Sequence, residues 1–334
     1  MAVKAGVSGA TVSRVFNRPE SVSPSTREKV LKAAKDLDYH PNVIATNFIK
    51  GISGNIGVII PRIKNIHMLS VYYFAELLGG IGDALSRRGY NLVLLYHDIT
   101  APVMPGNDYT KYFKGNKVDG GILLGTFANE PSLVKLKEEG YRFCLINNYI
   151  ENSGISYADA DNLKGSYKAV KYLINLGHEK IAFLNGPMYY TNSIDRLKGY
   201  KRAMEEHGIP FNRELLFEGN YGRKSGYTAA RKILSAKSPP SAIFVSNDRM
   251  AAGLLQGLLE SGVKVPGDIS IVGYDDSDVA TVVTPQLTTV HVSFYEIGYR
   301  CADELVKCIK GEKDYFGISV QPKIVIRKSC SRPR

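Results

Sequence analysis

The sequence predicts an α/β protein in which a helix-turn-helix headpiece precedes two doubly wound parallel-sheet subdomains. Three observations carry that prediction. Beyond about residue 55, runs that are apolar throughout alternate with amphipathic helical stretches, the pattern of parallel strands covered on both faces. Such units are too many for one sheet, so two are expected. The first 41 residues lack the alternation and read instead as short polar helices.

In the N-terminal block, a helical segment around Lys4-Ala5 meets a turn at Gly6, where glycine can take the positive φ that ends a helix. SGATVSRVFN follows, with Ser8 placed to cap a second helix. Thr11, Ser13 and Arg14 make one side of it polar, while Val12, Val15 and Phe16 can face inward. Ser23-Pro24-Ser25-Thr26 supplies the next helix start, with Glu28 available for a capping box. In VLKAAKDLDYHPN the apolar positions 30, 33, 34 and 37 form a helical face that stops before Pro41. Three short helices with turns near Gly6 and Asn17 fit a helix-turn-helix, whose second helix enters a major groove. They also fit a surface helical hairpin with solvated charges.

The core then runs NIGVIIP, YFAELLGGIGDALSRRG, YNLVLLY, VDGGILLG, PSLVKLKEEG and YRFCLIN. It continues with LKGSYKAVKYLINLG, EKIAFLNG, RLKGYKRAMEEHG, RKSGYTAARKIL, SAIFVSN, MAAGLLQGLLESG and ISIVGYD. In doubly wound sheets a ligand sits at the carboxyl ends of the strands, which directs attention to the segments just after each apolar run.

Composition narrows the function classes. The 334 residues are 44% hydrophobic and 22% charged, ordinary globular material. A net charge of +11 favours a polyanionic partner. The excess is dense in residues 1–50, where eight Lys and Arg face four Asp and Glu. Cys144, Cys301, Cys308 and Cys330 form no CxxC and have no histidine at ligand spacing, so free thiols in a reducing, cytoplasmic compartment are expected, with no metal and no cofactor. The N-terminus lacks the basic-then-apolar run of a secretory signal, and no stretch approaches the roughly 18 consecutive apolar residues of a membrane span, so neither export nor membrane insertion is expected. GGIGDAL is a poor phosphate-loop match inside an amphipathic helix, and no Ser/His/Asp set or carboxylate pair argues for an enzyme. Asp275-Asp276 beside Asp278 hints at a metal, against the alternative of a helix-opening acidic loop.

AGVSGATVSRVFN followed by VSPSTREKVLKAAKDLDYHPNVIA closely resembles the DNA-binding headpiece of the LacI/GalR family of bacterial transcription regulators. NIGVIIP, VDGGILL, LGHEKIAFLNG, DRLKGY, SNDRMAAGLLQGLLESGVKVPGDISIVGYDD and PQLTTV extend the resemblance along nearly the whole chain. It implies a homodimeric regulator, controlled by a small-molecule effector, that binds a pseudo-palindromic DNA duplex. The core would be like the periplasmic sugar-binding proteins, and a sugar is the default effector, with a purine or a protein partner as alternatives. A solute-binding protein sharing that core is the rival reading; it would need an export signal. The implied domains are the headpiece 1–41, a hinge helix and linker 42–53, and the core 54–334. The core divides into an N-subdomain (about 54–162 and 292–320) and a C-subdomain (about 163–291 and 321–334).

Residue by residue, the resemblance places Gly9 and Ala10 where the family reads bases, with Ser8, Thr11, Ser13 and Arg14 on the same helix and Asn17 just beyond it. Arg14 is the strongest contact because a guanidinium can bond guanine bidentately. Ser23 and Thr26 would reach phosphates. NVIATNFIK resembles the hinge helix that pairs in the minor groove, with Asn42 as a cap, Ala45 allowing close approach and Phe48 where the family usually has a leucine wedge. Phe48 could instead pack on its own chain. For the effector, the resemblance implies Arg196, Asp275, Asn247 and the aromatic Tyr221, with Phe294, Tyr73 and Phe74. Core packing is the alternative for each aromatic. Asp161 joins this set, although a helix cap would equally explain it. RIKNIHMLSVYY is longer than the family norm, and the family carries about half a dozen residues ahead of the position of Met1, so the first helix is scarcely one turn.

Overall fold

A computed structural model describes residues 1–39, 51–62, 72–98, 107–236 and 239–334. It divides into two compact units, Met1–Gly54 and Asn55–Arg334.

In the first unit, α1 (Ala2–Ala5) ends at Gly6, which takes the left-handed conformation at φ 65°. Ser8 then opens α2 (Gly9–Asn17), its Oγ accepting from the Thr11 N–H at 3.1 Å. The helix includes Asn17, one residue further than expected. Ser23 caps α3 (Pro24–Asp36), with Pro24 in the first turn, where the missing N–H costs nothing. That cap displaces the expected box. With Ser23 as the cap, Thr26 holds the third helical position and meets the Ser23 hydroxyl at 2.9 Å, so Glu28 lies too far along to reach back. Ala5, Val15, Val30 and Ala33 form the small core, with Val7, Val12, Phe16 and Val22 packed on it. Leu37 closes the helix at its C-cap and is 47% exposed, outside the face its spacing suggested.

The second unit begins with β1 (Asn55–Arg62), α4 (Tyr72–Arg88), β2 (Asn91–Asp98), β3 (Gly120–Leu124), α5 (Pro131–Glu138), β4 (Phe143–Ile146) and β5 (Ser156–Ala160). After the crossover come α6 (Asn162–Asn175), β6 (Ile181–Asn185), α7 (Thr191–Glu206), β7 (Leu216–Glu218), α8 (Arg223–Leu234), β8 (Ala242–Val245), α9 (Asp248–Glu260) and β9 (Ser270–Val272). The chain ends with α10 (Val279–Val282), β10 (Thr289–His291), α11 (Phe294–Ile309), β11 (Gly317–Val320) and β12 (Lys323–Val325).

Among the described residues, two parallel sheets result, ordered β11-β5-β4-β3-β1-β2 and β7-β6-β8-β9. The expected pair of doubly wound sheets is therefore present. The chain crosses between the two lobes after β5, around β10 and between β11 and β12, with β10 and β12 pairing antiparallel at the crossing. Ile122, Cys144 and Ile146 fill the first sheet's core; Phe183, Phe244 and Val272 fill the second's. All four cysteines are free, and Cys144 and Cys301 bring their sulfurs to 3.1 Å in the first core.

Helices α4 and α11 cross at glycines. A Cβ on Gly80 would overlap the carbonyl oxygen of Tyr295, and one on Gly298 would overlap that of Leu77. Both obstacles are backbone, which cannot swing aside. Gly80→Ala should therefore lower stability by about 1–3 kcal/mol, the usual cost of overpacking. A urea unfolding midpoint within error of wild type would contradict this.

Candidate effector cleft and nucleic-acid interface

The exposed face of α2 consists of Gly9, Ala10, Ser13 and Arg14, with Ser8 and Thr11 at its start. Val15 on the opposite side is 4% exposed. Inward apolar residues and outward small or cationic ones leave a smooth helix surface that can approach a groove, with Arg14 as its long charged donor. Thr11 is held to Ser8 through its hydroxyl at 2.9 Å, and Ser23 and Thr26 pair in the same way at the start of α3. The Lys4 ammonium lies 3.3 Å from Asp36, tying α1 to α3. The expected minor-groove residues Asn42, Ala45 and Phe48 lie outside the described residues, as does most of the long RIKNIHMLSVYY stretch.

In the core, the segments that follow the strands of both sheets meet at the candidate cleft. Arg196 on α7 is its most constrained group. Arg196 is 5% exposed; its guanidinium donates from Nε to Asn162 Oδ1 at 3.0 Å and from Nη1 to the Ser246 carbonyl at 2.6 Å, and lies 3.9 Å over the Tyr274 ring. Asn162 follows β5 and Ser246 follows β8, so one side chain ties the crossover to the second sheet. Asp275, just after β9, is half-buried and takes φ 103°, a conformation rare outside glycine and often held at functional sites. Burial holds its carboxyl well above the usual range; Arg196 opposes that and Asp248 adds to it.

Tyr221 also takes a positive φ, 62°, and its hydroxyl meets Asn192 Oδ1 at 3.0 Å and Ser193 Oγ at 2.5 Å. Asn247 caps α9, accepting from Met250 N, and donates to the Tyr221 carbonyl at 3.1 Å. Its amide thus positions the ring beside it. Tyr73 packs on Phe294 with ring centroids 5.6 Å apart, placing the expected first-lobe aromatics together. Phe74 is fully buried in the core beneath Tyr73, as the packing alternative anticipated.

Asp161 does not join this group. Its carboxylate caps α6, accepting from Lys164 N at 2.9 Å and from Gln321 Nε2 at 3.3 Å. On that segment the residue reaching Arg196 is its neighbour Asn162. In the acidic loop after β9, Asp278 caps α10, and Asp276 pairs with Arg327 at 2.6 Å and His291 at 3.0 Å, as the helix-opening alternative has it. Among the described residues, no cluster of His, Cys, Asp and Glu could hold a metal, and no helix is long and apolar enough to cross a membrane.

The sequence reading missed the groups that join the lobes. Phe127, after β3, packs on Tyr189 and Tyr190, after β6, at 5.4 and 5.7 Å, and Ala128 N donates to the Tyr189 carbonyl at 3.0 Å. Thr191 donates to Asn148 Oδ1, whose amide is fixed by Thr126 Oγ1 and the Phe127 carbonyl. All follow apolar strand runs, so the rule of looking just past each run could have found them.

Asp248 lies beneath the cleft with no exposed surface, accepting from Thr289 Oγ1 at 2.6 Å and Ser277 N at 2.8 Å. Burial pushes its carboxyl up to about 7, against the pull of those donors. A raised folded value means that the native state holds a proton the unfolded chain releases. Its contribution is complete below 3.8 and lost as pH rises through about 7. Asp248→Asn, which has no such proton to lose, should gain stability relative to wild type as pH rises across that window. Urea midpoints differing by a constant amount at every pH would contradict it.

A helix-turn-helix unit joined to a two-lobed, doubly wound core with a constrained cleft defines a DNA-binding regulator of the ligand-sensing kind. The comparisons agree. Residues 1–42 match the family described as bacterial regulatory proteins, lacI family, and residues 170–330 match the periplasmic binding protein-like domain. Catabolite control protein A of Priestia megaterium is 36% identical over 98% of this chain and 97% of its own. The HTH-type transcriptional repressor PurR of Vibrio vulnificus is 33% identical over 98% and 96%. Among solved structures, the lac repressor dimer bound to operator and the anti-inducer ONPF has a TM-score of 0.83 at 26% identity, covering 99% of this chain and 97% of its own. A complex of the transcriptional regulator CelR with cellobiose has a TM-score of 0.77 at 31% identity, covering 98% of each. The chain belongs to the LacI family of DNA-binding transcriptional regulators.

Proposed function

We propose that the protein is a cytoplasmic, homodimeric repressor of carbohydrate-utilisation genes, released from or locked onto a pseudo-palindromic DNA site by a sugar bound in the cleft. The observation that carries the effector assignment is the Arg196 fork, buried at the lobe boundary, with the half-buried Asp275 within its field. A fixed set of donors opposite a carboxylate acceptor suits vicinal hydroxyls, which both donate and accept. Tyr221 and Tyr190, both partly exposed, offer ring faces for the flat side of a pyranose. The regulator CelR, solved with cellobiose, supports this reading by its likeness.

A purine is the second reading, favoured by the same rings and by the PurR relatives. In DNA binding, α2 takes the major groove, with Arg14 reading a base and Gly9 and Ala10 letting the backbone come close. Ser23 and Thr26 serve phosphate contacts, Asn17 belongs with the DNA-facing set, and Asn42, Ala45 and Phe48 serve the hinge. Calorimetric titration of the full chain with mono- and disaccharides and with hypoxanthine and guanine tests the effector class. Saturable sugar binding that Arg196→Lys weakens is expected; purine binding with no response to any sugar would overturn the carbohydrate assignment.

A further inference from the structure

The loop after β9 carries two successive residues in the left-handed region, Asp275 at φ 103° and Asp276 at φ 58°. Neither is glycine, and such conformations persist only where the surroundings over-determine them. Asp248, the first residue of α9, supplies much of that determination. Its N–H donates to the Tyr274 carbonyl at 2.8 Å, just before the strained pair. Its Oδ2 accepts from the Ser277 N–H at 2.8 Å and the Ser277 hydroxyl at 3.2 Å, just after it. One residue therefore grips the loop at both ends.

The other carboxylate oxygen faces β10, where the chain crosses between lobes. Oδ1 accepts from Thr289 Oγ1 at 2.6 Å. The loop meets the same segment through its backbone, Gly273 N donating to the Thr288 carbonyl at 2.9 Å and Asp275 N to the Val290 carbonyl at 2.8 Å. Gly273 makes room for this arrangement, because a Cβ there would overlap Asp248 Oδ1. Asp248 and Thr289 have no exposed surface, so neither can touch a ligand in the cleft.

We propose that Asp248 is a positioning residue for the cleft: it holds Asp275 in its left-handed conformation and fastens that side chain's loop to the strand that crosses between the lobes. The use of Asp275 by an effector rests on the effector reading; the hold on the loop does not. The Asp248 charge also reaches Asp275, whose carboxyl it helps keep above the usual range. Asparagine can imitate the grip, with Oδ1 accepting from the Ser277 N–H and Nδ2 donating to the Thr289 hydroxyl. Alanine cannot.

Hydrogen exchange read by mass spectrometry on the full chain, with no ligand added, tests the hold directly. A peptide spanning residues 273–278 is compared with one spanning β6 in the same lobe. Asp248→Ala should speed exchange in the loop on the order of tenfold or more, as expected when hydrogen bonds to a charged group are lost, and change β6 much less. Asp248→Asn should restore protection, which a general loss of stability would not explain. Gly273→Ala, which removes no polar group but displaces the carboxylate, should loosen the loop in the same way and serves if the alanine variant fails to fold. Calorimetry with cellobiose, glucose, hypoxanthine and guanine follows: any of them that Asp275→Asn weakens should be weakened by Asp248→Ala and spared by Asp248→Asn. Loop exchange unchanged in the folded variants, or raised equally in β6, overturns the positioning role. A loop that loosens as expected, in a protein whose ligand ignores Asp275→Asn, supports that role and overturns the effector reading instead.

Discussion

Replacing Arg196 by methionine should abolish the effector response and lower folding stability by about 3–5 kcal/mol, the cost of leaving buried charge uncompensated. Asp275 and Asp159 both lie within the field of this guanidinium, and each is already held above the usual carboxyl range by burial. Methionine also forfeits the bonds to Asn162 and the Ser246 carbonyl and the stacking on Tyr274. Arg196→Lys separates the two effects. It keeps the positive charge and hence most of the stability, but a point charge cannot reproduce a planar fork, so the response should still fall. Urea unfolding and ligand titration on the two variants give the comparison. A methionine variant with wild-type response would show that Arg196 serves packing alone.

Arg14→Ala should weaken specific duplex binding by about 1–3 kcal/mol, on the order of ten- to hundredfold, without changing stability. The side chain is exposed on α2, and the headpiece core of Ala5, Val15, Val30 and Ala33 does not include it. Two outcomes distinguish how it acts. Relaxed preference at one base position identifies a base contact, whereas uniform weakening with a salt slope shallower by about one identifies a phosphate contact. Anisotropy on a duplex selected from a randomised pool reads both, and affinity unchanged for every duplex would remove α2 from the interface.

Local signals made much of this molecule legible in its sequence. Gly6, Ser8 and Ser23 act through their own backbone neighbours, and continuous apolar runs such as IAFLN and AIFV fill strands buried on both faces. What escaped depends on distant partners or weak periodicity. β5, SYADA, carries the buried Asp159 and so does not read as an apolar run, yet it is paired on both sides within its sheet. α11 was overlooked because it follows the last strand–helix alternation, and its partner α4 lies more than two hundred residues earlier. The cleft shows the same division. Arg196 and Asp275 were found from family motifs, while Phe127, Asn148 and Tyr190 matter through contacts between lobes that no local pattern encodes. Asp161 and Asn162 were one residue apart in role: the first caps the helix, and the second reaches the arginine.

The lobe-to-lobe contacts are where a bound ligand can act. Tyr189, Thr191 and Asp195 of the second lobe bond to Ala128, Asn148 and Tyr149 of the first. A ligand whose contacts come from both lobes favours one arrangement of those bonds over another. If only one arrangement suits the DNA-bound dimer, ligand and DNA must change each other's affinity by one common factor. This coupling is read by measuring duplex affinity with and without saturating effector, and effector affinity with and without saturating duplex. The two factors should be equal, and should be lost together in Arg196→Lys. An effector that binds the cleft while leaving duplex affinity unchanged would contradict it.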